Sequence, residues 1–122
     1  MKNESEAIRK LIHSDEFDDY YNSLDSRTAE KYDEAILYLE TVYVLSRKFV
    51  KKLEDADLGI YELRVSVGFN EYRTILFALD HENIIQAKTV ILLNSFLKKD
   101  NKEYRRQLKK AINTLNNLEY DT

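Results

Sequence analysis

Seven of the fifteen residues from Lys98 to Ile112 are lysine or arginine, against two acids, in a chain whose net charge is −3. The cluster starts at Lys98-Lys99, directly after the most apolar run of the protein, Thr89-Val90-Ile91-Leu92-Leu93-Asn94-Ser95, and continues through Lys102, Arg105 and Arg106. A buried strand thus ends where cations begin, which fixes positive charge at the edge of a rigid scaffold within reach of a polyanion. Two further arginines, Arg64 and Arg73, lie in segments that read as strands. Guanidinium groups clamp phosphate oxygens through two-point contacts and ammonium groups act as compact charges, so the set suits phosphodiester chemistry. Donors already in position stabilise the charge that builds on a pentavalent phosphorus. If the nucleophile is the 2′-hydroxyl of RNA itself, the protein need supply only a base, an acid and this clamp. Lysine serves as a base where neighbouring cations disfavour its protonated form, and Lys98 beside Lys99, with Arg73 nearby, has that composition.

The same residues have structural readings. Lysine runs such as Lys98, Lys99, Lys102, Lys109 and Lys110 commonly mark a solvated helix face. Arg64 has Glu62 and Glu71 as ion-pair partners, and Tyr104, four residues before Leu108, fits a core stripe. Arg73 shares the parity of Ile75, Phe77 and Leu79 in a strand that is otherwise nearly all apolar, so its charge must reach the end of the sheet or be paired. Both an ion pair and a phosphate clamp satisfy that requirement. Other chemistries find no residues. Cysteine is absent, which removes disulfides, thiolates and Cys-type zinc sites. His13 and His81 are far apart and lack metal-ligand spacing with acids. Neither a glycine-rich phosphate loop nor a serine elbow is present. No cofactor and no metal are expected.

The elements that must position these groups follow from periodicity. With 122 residues, 43% hydrophobic and 34% charged, residues 1–122 make one domain around one core. No apolar run approaches the ~20 residues of a membrane helix, and the polar start Met1-Lys2-Asn3-Glu4-Ser5-Glu6 lacks a signal core, so the cytoplasm is the expected location. Residues 1–60 carry nine Lys/Arg and fourteen Asp/Glu, net −5, whereas residues 61–122 carry ten and eight, net +2. A polyanion should therefore meet the second half. Residues 5–23 read as a helix with Ala7, Ile8, Leu11, Ile12, Phe17, Tyr20 and Tyr21 inward, interrupted at His13-Ser14-Asp15, where Ser14 or Asp15 supplies a new N-cap. Ser26 opens a stronger helix with Ala29, Tyr32, Ile36, Leu39 and Tyr43 on one stripe. After the cationic connector 47–53 the period changes from 3.6 to 2, giving strands over 60–66, 72–79 and 89–97. Residues 101–118 form a last helix with Leu108, Ala111, Ile112, Leu115 and Leu118 inward. The expected fold is α+β, an N-terminal antiparallel helical hairpin packed on a small antiparallel sheet of three or four strands, with a C-terminal helix.

Four segments in order carry a likeness to a known family: Tyr61-Glu62-Leu63-Arg64-Val65, Glu71-Tyr72-Arg73-Thr74-Ile75-Leu76-Phe77, Leu92-Leu93-Asn94-Ser95-Phe96-Leu97-Lys98-Lys99, and a helix ending near Ala111. From about Phe17 to Leu115, with an extra helical segment at 1–16, the chain resembles the phage-derived, HigB-like branch of the RelE/ParE toxin superfamily. The resemblance implies a RelE-like fold and the toxin of a type II toxin–antitoxin system, a ribosome-dependent endoribonuclease that cuts mRNA and is neutralised by a cognate antitoxin of helix-turn-helix type. It implies Arg73, Lys98 and Lys99 as catalytic residues, with Arg64, Lys102, Tyr104 and Arg105 contacting RNA. Two alternatives share the scaffold: a gyrase-poisoning toxin and a phage-derived interaction protein without catalysis. The tyrosines and phenylalanine at Phe17, Tyr20, Tyr21, Tyr38 and Tyr43 exceed what two helices over a sheet need, and tyrosine favours interfaces. The antitoxin is accordingly expected over the helical hairpin or the charged concavity.

Overall fold

The computed structural model describes residues 6–53 and 59–120. In chain order the elements are β1 (Lys10–His13), α1 (Asp15–Asn22), α2 (Ser26–Thr41), β2 (Val50–Lys52), β3 (Ile60–Val67), β4 (Asn70–Ala78), β5 (Thr89–Leu97) and α3 (Asn101–Tyr120). The strands form one sheet in the order β1-β5-β4-β3-β2. Its pairs are antiparallel except β1 with β5, which is parallel.

This corrects the expected architecture. Among the described residues the first element is a strand rather than a helical hairpin, the three helices follow that strand, and the sheet is mixed and five-stranded instead of antiparallel with three or four strands. The apolar residues Ala7, Ile8, Leu11 and Ile12 have helical spacing, yet Lys10–His13 pair with Thr89–Leu92 and expose Ile8 and Ile12. Residues 1–5 of the expected helical segment lie outside the described residues. The connector at 47–53 also contributes a strand, β2, whose three residues are too few to display a period.

A non-local anchor decides the matter. Arg9, only 1% exposed, donates five hydrogen bonds to backbone carbonyls. Nε reaches Ile84 O at 3.0 Å, Nη1 reaches Leu39 O at 3.0 Å and Val42 O at 2.6 Å, and Nη2 reaches Tyr43 O at 2.7 Å and Ile85 O at 2.9 Å. Three of these carbonyls lie at or just beyond the C-terminal end of α2, where a cation also meets the negative end of the helix dipole. Burial pushes the Arg9 pKa down, but guanidinium stays charged even so.

Helices α1 and α2 cover one face of the sheet, where Phe17, Tyr32 and Leu39 pack on Leu63, Val65, Leu76, Val90 and Leu92. Helix α3 covers the other, where Ala111 and Leu115 meet Ile60, Ile75, Ile91, Leu93 and Phe96. Side chains alternate between faces along each strand, so even-numbered positions of β3 and odd-numbered positions of β4 look toward α3. Ser14 caps α1 through Phe17 N at 3.1 Å, and Asp25 caps α2 through Thr28 N at 2.8 Å. Within the α2-facing core, Tyr32 Oη meets Thr74 Oγ1 at 3.0 Å, which meets Ser95 Oγ at 2.6 Å. Burial pushes the Tyr32 hydroxyl up to about 12. Because Thr74 and Ser95 can bond each other without it, Tyr32→Phe should lower stability by only about 1 kcal/mol in urea unfolding. A loss above about 3 kcal/mol would mean that the three hydroxyls act as one unit.

Candidate functional site

Two Glu-x-Arg triplets, Glu62-Leu63-Arg64 on β3 and Glu71-Tyr72-Arg73 on β4, face each other on the α3 side of the sheet. The register sets Arg64 opposite Arg73 and Ser66 opposite Glu71. Like charges directly across a ladder repel, and each arginine is compensated by a carboxylate two residues away on the same face. Arg64 Nε donates to Glu62 Oε2 at 2.6 Å. Arg73 Nε lies 3.8 Å from the same oxygen, and Arg73 Nη1 reaches Glu71 Oε1 at 3.3 Å and Tyr72 O at 3.0 Å. Glu62 is 2% exposed and takes a further hydrogen bond from Tyr104 Oη on α3. Burial, followed by that bond to Glu62, holds the Tyr104 pKa well above the ordinary tyrosine value.

Availability separates the two arginines. The Arg73 side chain is 6% exposed and sits under its partners. The Arg64 side chain is 30% exposed and faces a groove. That groove, of about 600 Å³, runs along the outer edge of β3. Strand β2 pairs only with Tyr61–Leu63, and after Arg64 N–H to Phe49 O at 2.7 Å no described strand continues beside Val65–Val67. Lys31, Lys48, Arg64 and Arg73 face Glu34 and Glu71 around the groove, an excess of two positive charges, and Tyr38 and Phe49 supply aromatic surface. Tyr38 and Phe49 hold each other edge to face at 5.4 Å, and Lys48 Nζ lies 5.6 Å from the Phe49 ring centroid. Glu71 is ionised with ease: hydrogen bonds from Ser66 Oγ, at 2.8 Å to each oxygen, and then from Arg73 lower its pKa from 4.5.

A bulge brings β5 into this arrangement. Thr74 pairs with Ser95 but Leu76 pairs with Leu92, so β5 carries one extra residue at Leu93-Asn94. The insertion reverses parity beyond it. Asn94 turns toward α3 and bonds Gln107 Oε1 at 2.8 Å. Ser95 turns toward Tyr32, and Phe96 comes opposite Arg73, with its ring edge-on to Tyr104 at 5.6 Å. The next residue but one, Lys98, donates its N–H to Glu71 O at 2.8 Å, and its charge also acts on the Glu71 carboxylate. Asp100 then caps α3 through Glu103 N at 2.8 Å.

The seven residues singled out from sequence therefore divide. Arg64, Arg73 and Tyr104 converge on Glu62, and Lys98 joins them through Glu71. Lys99, on the approach to α3, and Lys102, in its first turn, are exposed. Arg105 lies on a different groove with Leu53, Leu108 and Ile112. Glu71, Lys31, Lys48, Tyr38 and Phe49 were not singled out as site residues. The repeated Glu-x-Arg spacing is the signal that could have exposed the first, while Lys31 and Tyr38 sit on a helix far away in sequence.

The family described as "Phage derived protein Gp49-like (DUF891)" matches residues 19–116. The chain belongs to this family, which is associated with toxin–antitoxin systems. No curated protein and no solved structure matches it. Among the described residues no helix is long and apolar enough to cross a membrane.

Proposed function

We propose that this protein is the toxin of a toxin–antitoxin pair and cleaves mRNA on the ribosome, in the manner of the HigB and RelE toxins it resembles, with the β3-edge groove as its RNA site. The observation that carries the proposal is one wall of that groove, which a partly exposed arginine, Arg64, and an ionised, accessible glutamate, Glu71, both line. Single-stranded RNA asks for cations along its backbone and aromatic surface for its bases, and Lys31, Lys48, Arg64, Tyr38 and Phe49 offer both. Arg64 contacts the scissile phosphate. The adjacent 2′-hydroxyl gives its proton to Glu71 as its oxygen bonds to phosphorus. The bond from phosphorus to the 5′-oxygen breaks, and that oxygen takes a proton from the Lys98 ammonium. A 2′,3′-cyclic phosphate and a 5′-hydroxyl result. The ionised Glu71 carboxylate is thus the base and Lys98 the acid. Arg73 orients Glu71, and Lys99 and Lys102 carry the RNA backbone onward. A cognate antitoxin of helix-turn-helix type silences the protein, and co-purification with the product of the neighbouring small reading frame tests that partner.

Cleavage is tested by inducing the protein alone and mapping new mRNA 5′ ends. Glu71→Gln should reduce cleavage about a hundredfold, the scale of a lost general base. Arg64→Ala should cost about 2 kcal/mol, the scale of a charge-assisted contact. The base works only when ionised and its pKa is depressed, so cleavage should persist on acidification until the pH falls below 4.5. Ser66→Ala, which removes the largest cause of that depression, should move this acid limb upward. Undiminished cleavage by Glu71→Gln would sink the mechanism, and growth arrest without new ends would point to topoisomerase poisoning. A second reading, a binder without catalysis, is favoured by the engagement of Arg73 with Glu62, Glu71 and Tyr72. It predicts RNA binding without new ends.

A further inference from the structure

We infer that the outer flank of α3 is a docking groove for an acidic amphipathic helix of a partner protein, distinct from the RNA groove. A depression of about 750 Å³ follows this flank. Leu53, Tyr104, Leu108 and Ile112 form its floor, and Arg105 and Lys109 stand on its rim. Along α3 the floor residues recur every four positions, Tyr104-Leu108-Ile112, and the cations run beside them as a second row with the same step, Arg105-Lys109. Rows of this kind accept the ridge of another helix. A helix with leucines at i, i+4 and i+7 and carboxylates next to them fits both rows.

Charge selects the acidic occupant. Two other α3 cations already have carboxylates: Arg106 pairs with Glu103 at 2.7 Å and Lys110 with Glu16 at 3.4 Å. Arg105 and Lys109 pair with no carboxylate among the described residues, and both are exposed. Nucleic acid fits less well. The floor is aliphatic, and its one aromatic ring is held by a hydrogen bond to Glu62 and by edge-on packing against Phe96, so it offers no free face for base stacking. The inference stands apart from the reading of the β3-edge groove, because neither Arg64 nor Glu71 lines this flank.

The full-length, isotope-labelled protein is titrated with a synthetic helical peptide bearing leucine at i, i+4, i+7 and i+11 and glutamate beside each leucine. Saturable amide shifts should centre on Tyr104, Leu108 and Ile112 and leave Glu71 unmoved. The double variant Arg105→Glu, Lys109→Glu changes only exposed positions and should fold normally by circular dichroism while binding the peptide at least about tenfold more weakly, the scale expected of two interfacial charge pairs. Equal binding by that variant, equal binding of a lysine-for-glutamate peptide, or no saturable shift overturns the proposal. So does oligouridylate shifting the same α3 amides when the peptide does not, which would assign the flank to RNA. A groove that takes the peptide only after Glu54, Asp55 and Asp57 are neutralised would belong to the chain's own acids, and that result overturns it too.

Discussion

Arg9→Met should lower the unfolding free energy by about 4 kcal/mol or more, enough to leave a domain of ordinary stability, ~5–15 kcal/mol, on the edge of unfolding. Methionine fills much of the volume but donates nothing, so the five carbonyls of Leu39, Val42, Tyr43, Ile84 and Ile85 lose their common partner. An unsatisfied buried acceptor costs ~1–3 kcal/mol, and only those nearest the surface can turn to water. Arg9→Lys keeps the charge but brings three donors from one point instead of a planar fork. It should recover less than half of the loss. The substitutions also loosen distinct parts of the fold together, since these carbonyls belong to the end of α2 and to the segment before β5. Urea unfolding and amide exchange at Ile84 and Tyr43 give the readout. An Arg9→Met variant within about 1 kcal/mol of wild type would show that the guanidinium is a passenger, because single substitutions of that size need no special mechanism.

Arg9 also explains what the sequence concealed. Its acceptors lie 30 to 76 residues away, so no local window reveals them, and the neighbouring Ala7, Ile8, Leu11 and Ile12 imitate a helical stripe. What made β1 a strand was the pairing with β5, a tertiary term that overrides local spacing. The strands 60–67, 70–78 and 89–97 were legible within two residues because each alternates or runs apolar between turn signals, with Gly68 supplying the positive φ of the β3–β4 turn. The bulge was not legible, since an extra residue in β5 leaves the composition of Leu93-Asn94-Ser95 unremarked. Its effect on the site is large: it decides that Phe96 rather than Ser95 lies opposite Arg73. Charge clustering in the second half of the chain was visible, but its division between two surfaces was not. Successive helical residues are turned by about 100°, so Tyr104 and Arg105, adjacent in sequence, diverge. Tyr104 turns in from the floor of the second groove to bond Glu62, and Arg105 turns out onto its rim.

The second large effect is expected at Glu62, the carboxylate on which Arg64, Arg73 and Tyr104 converge. Glu62→Gln keeps the shape and an acceptor for Tyr104 but leaves two arginines opposite each other with only Glu71 to offset them. Removing one member of a buried charge set costs ~3–5 kcal/mol, because Arg73, at 5% exposure, cannot escape to water. Arg64 is more exposed and can move away, so Glu62→Gln combined with Arg64→Leu should be less destabilised than the sum of the single variants, by at least about 1 kcal/mol of coupling. Tyr104→Phe should cost less, about 1–3 kcal/mol, since it removes one donor and leaves the charges balanced. Its distinctive signature lies at high pH. The Tyr104 pKa is raised above 10 in the fold by burial and by Glu62. The unfolded chain therefore ionises first, and this contribution to stability is complete below pH 10 and disappears as the pH climbs through the folded value. Tyr104→Phe should flatten part of that alkaline limb, the remainder belonging to Tyr32, Tyr20 and Tyr21, whose pKa values are also raised. An additive double variant at Glu62 and Arg64, together with an unchanged alkaline limb in Tyr104→Phe, would mean that α3 is held by its apolar stripe alone and that the carboxylate does not join helix to sheet.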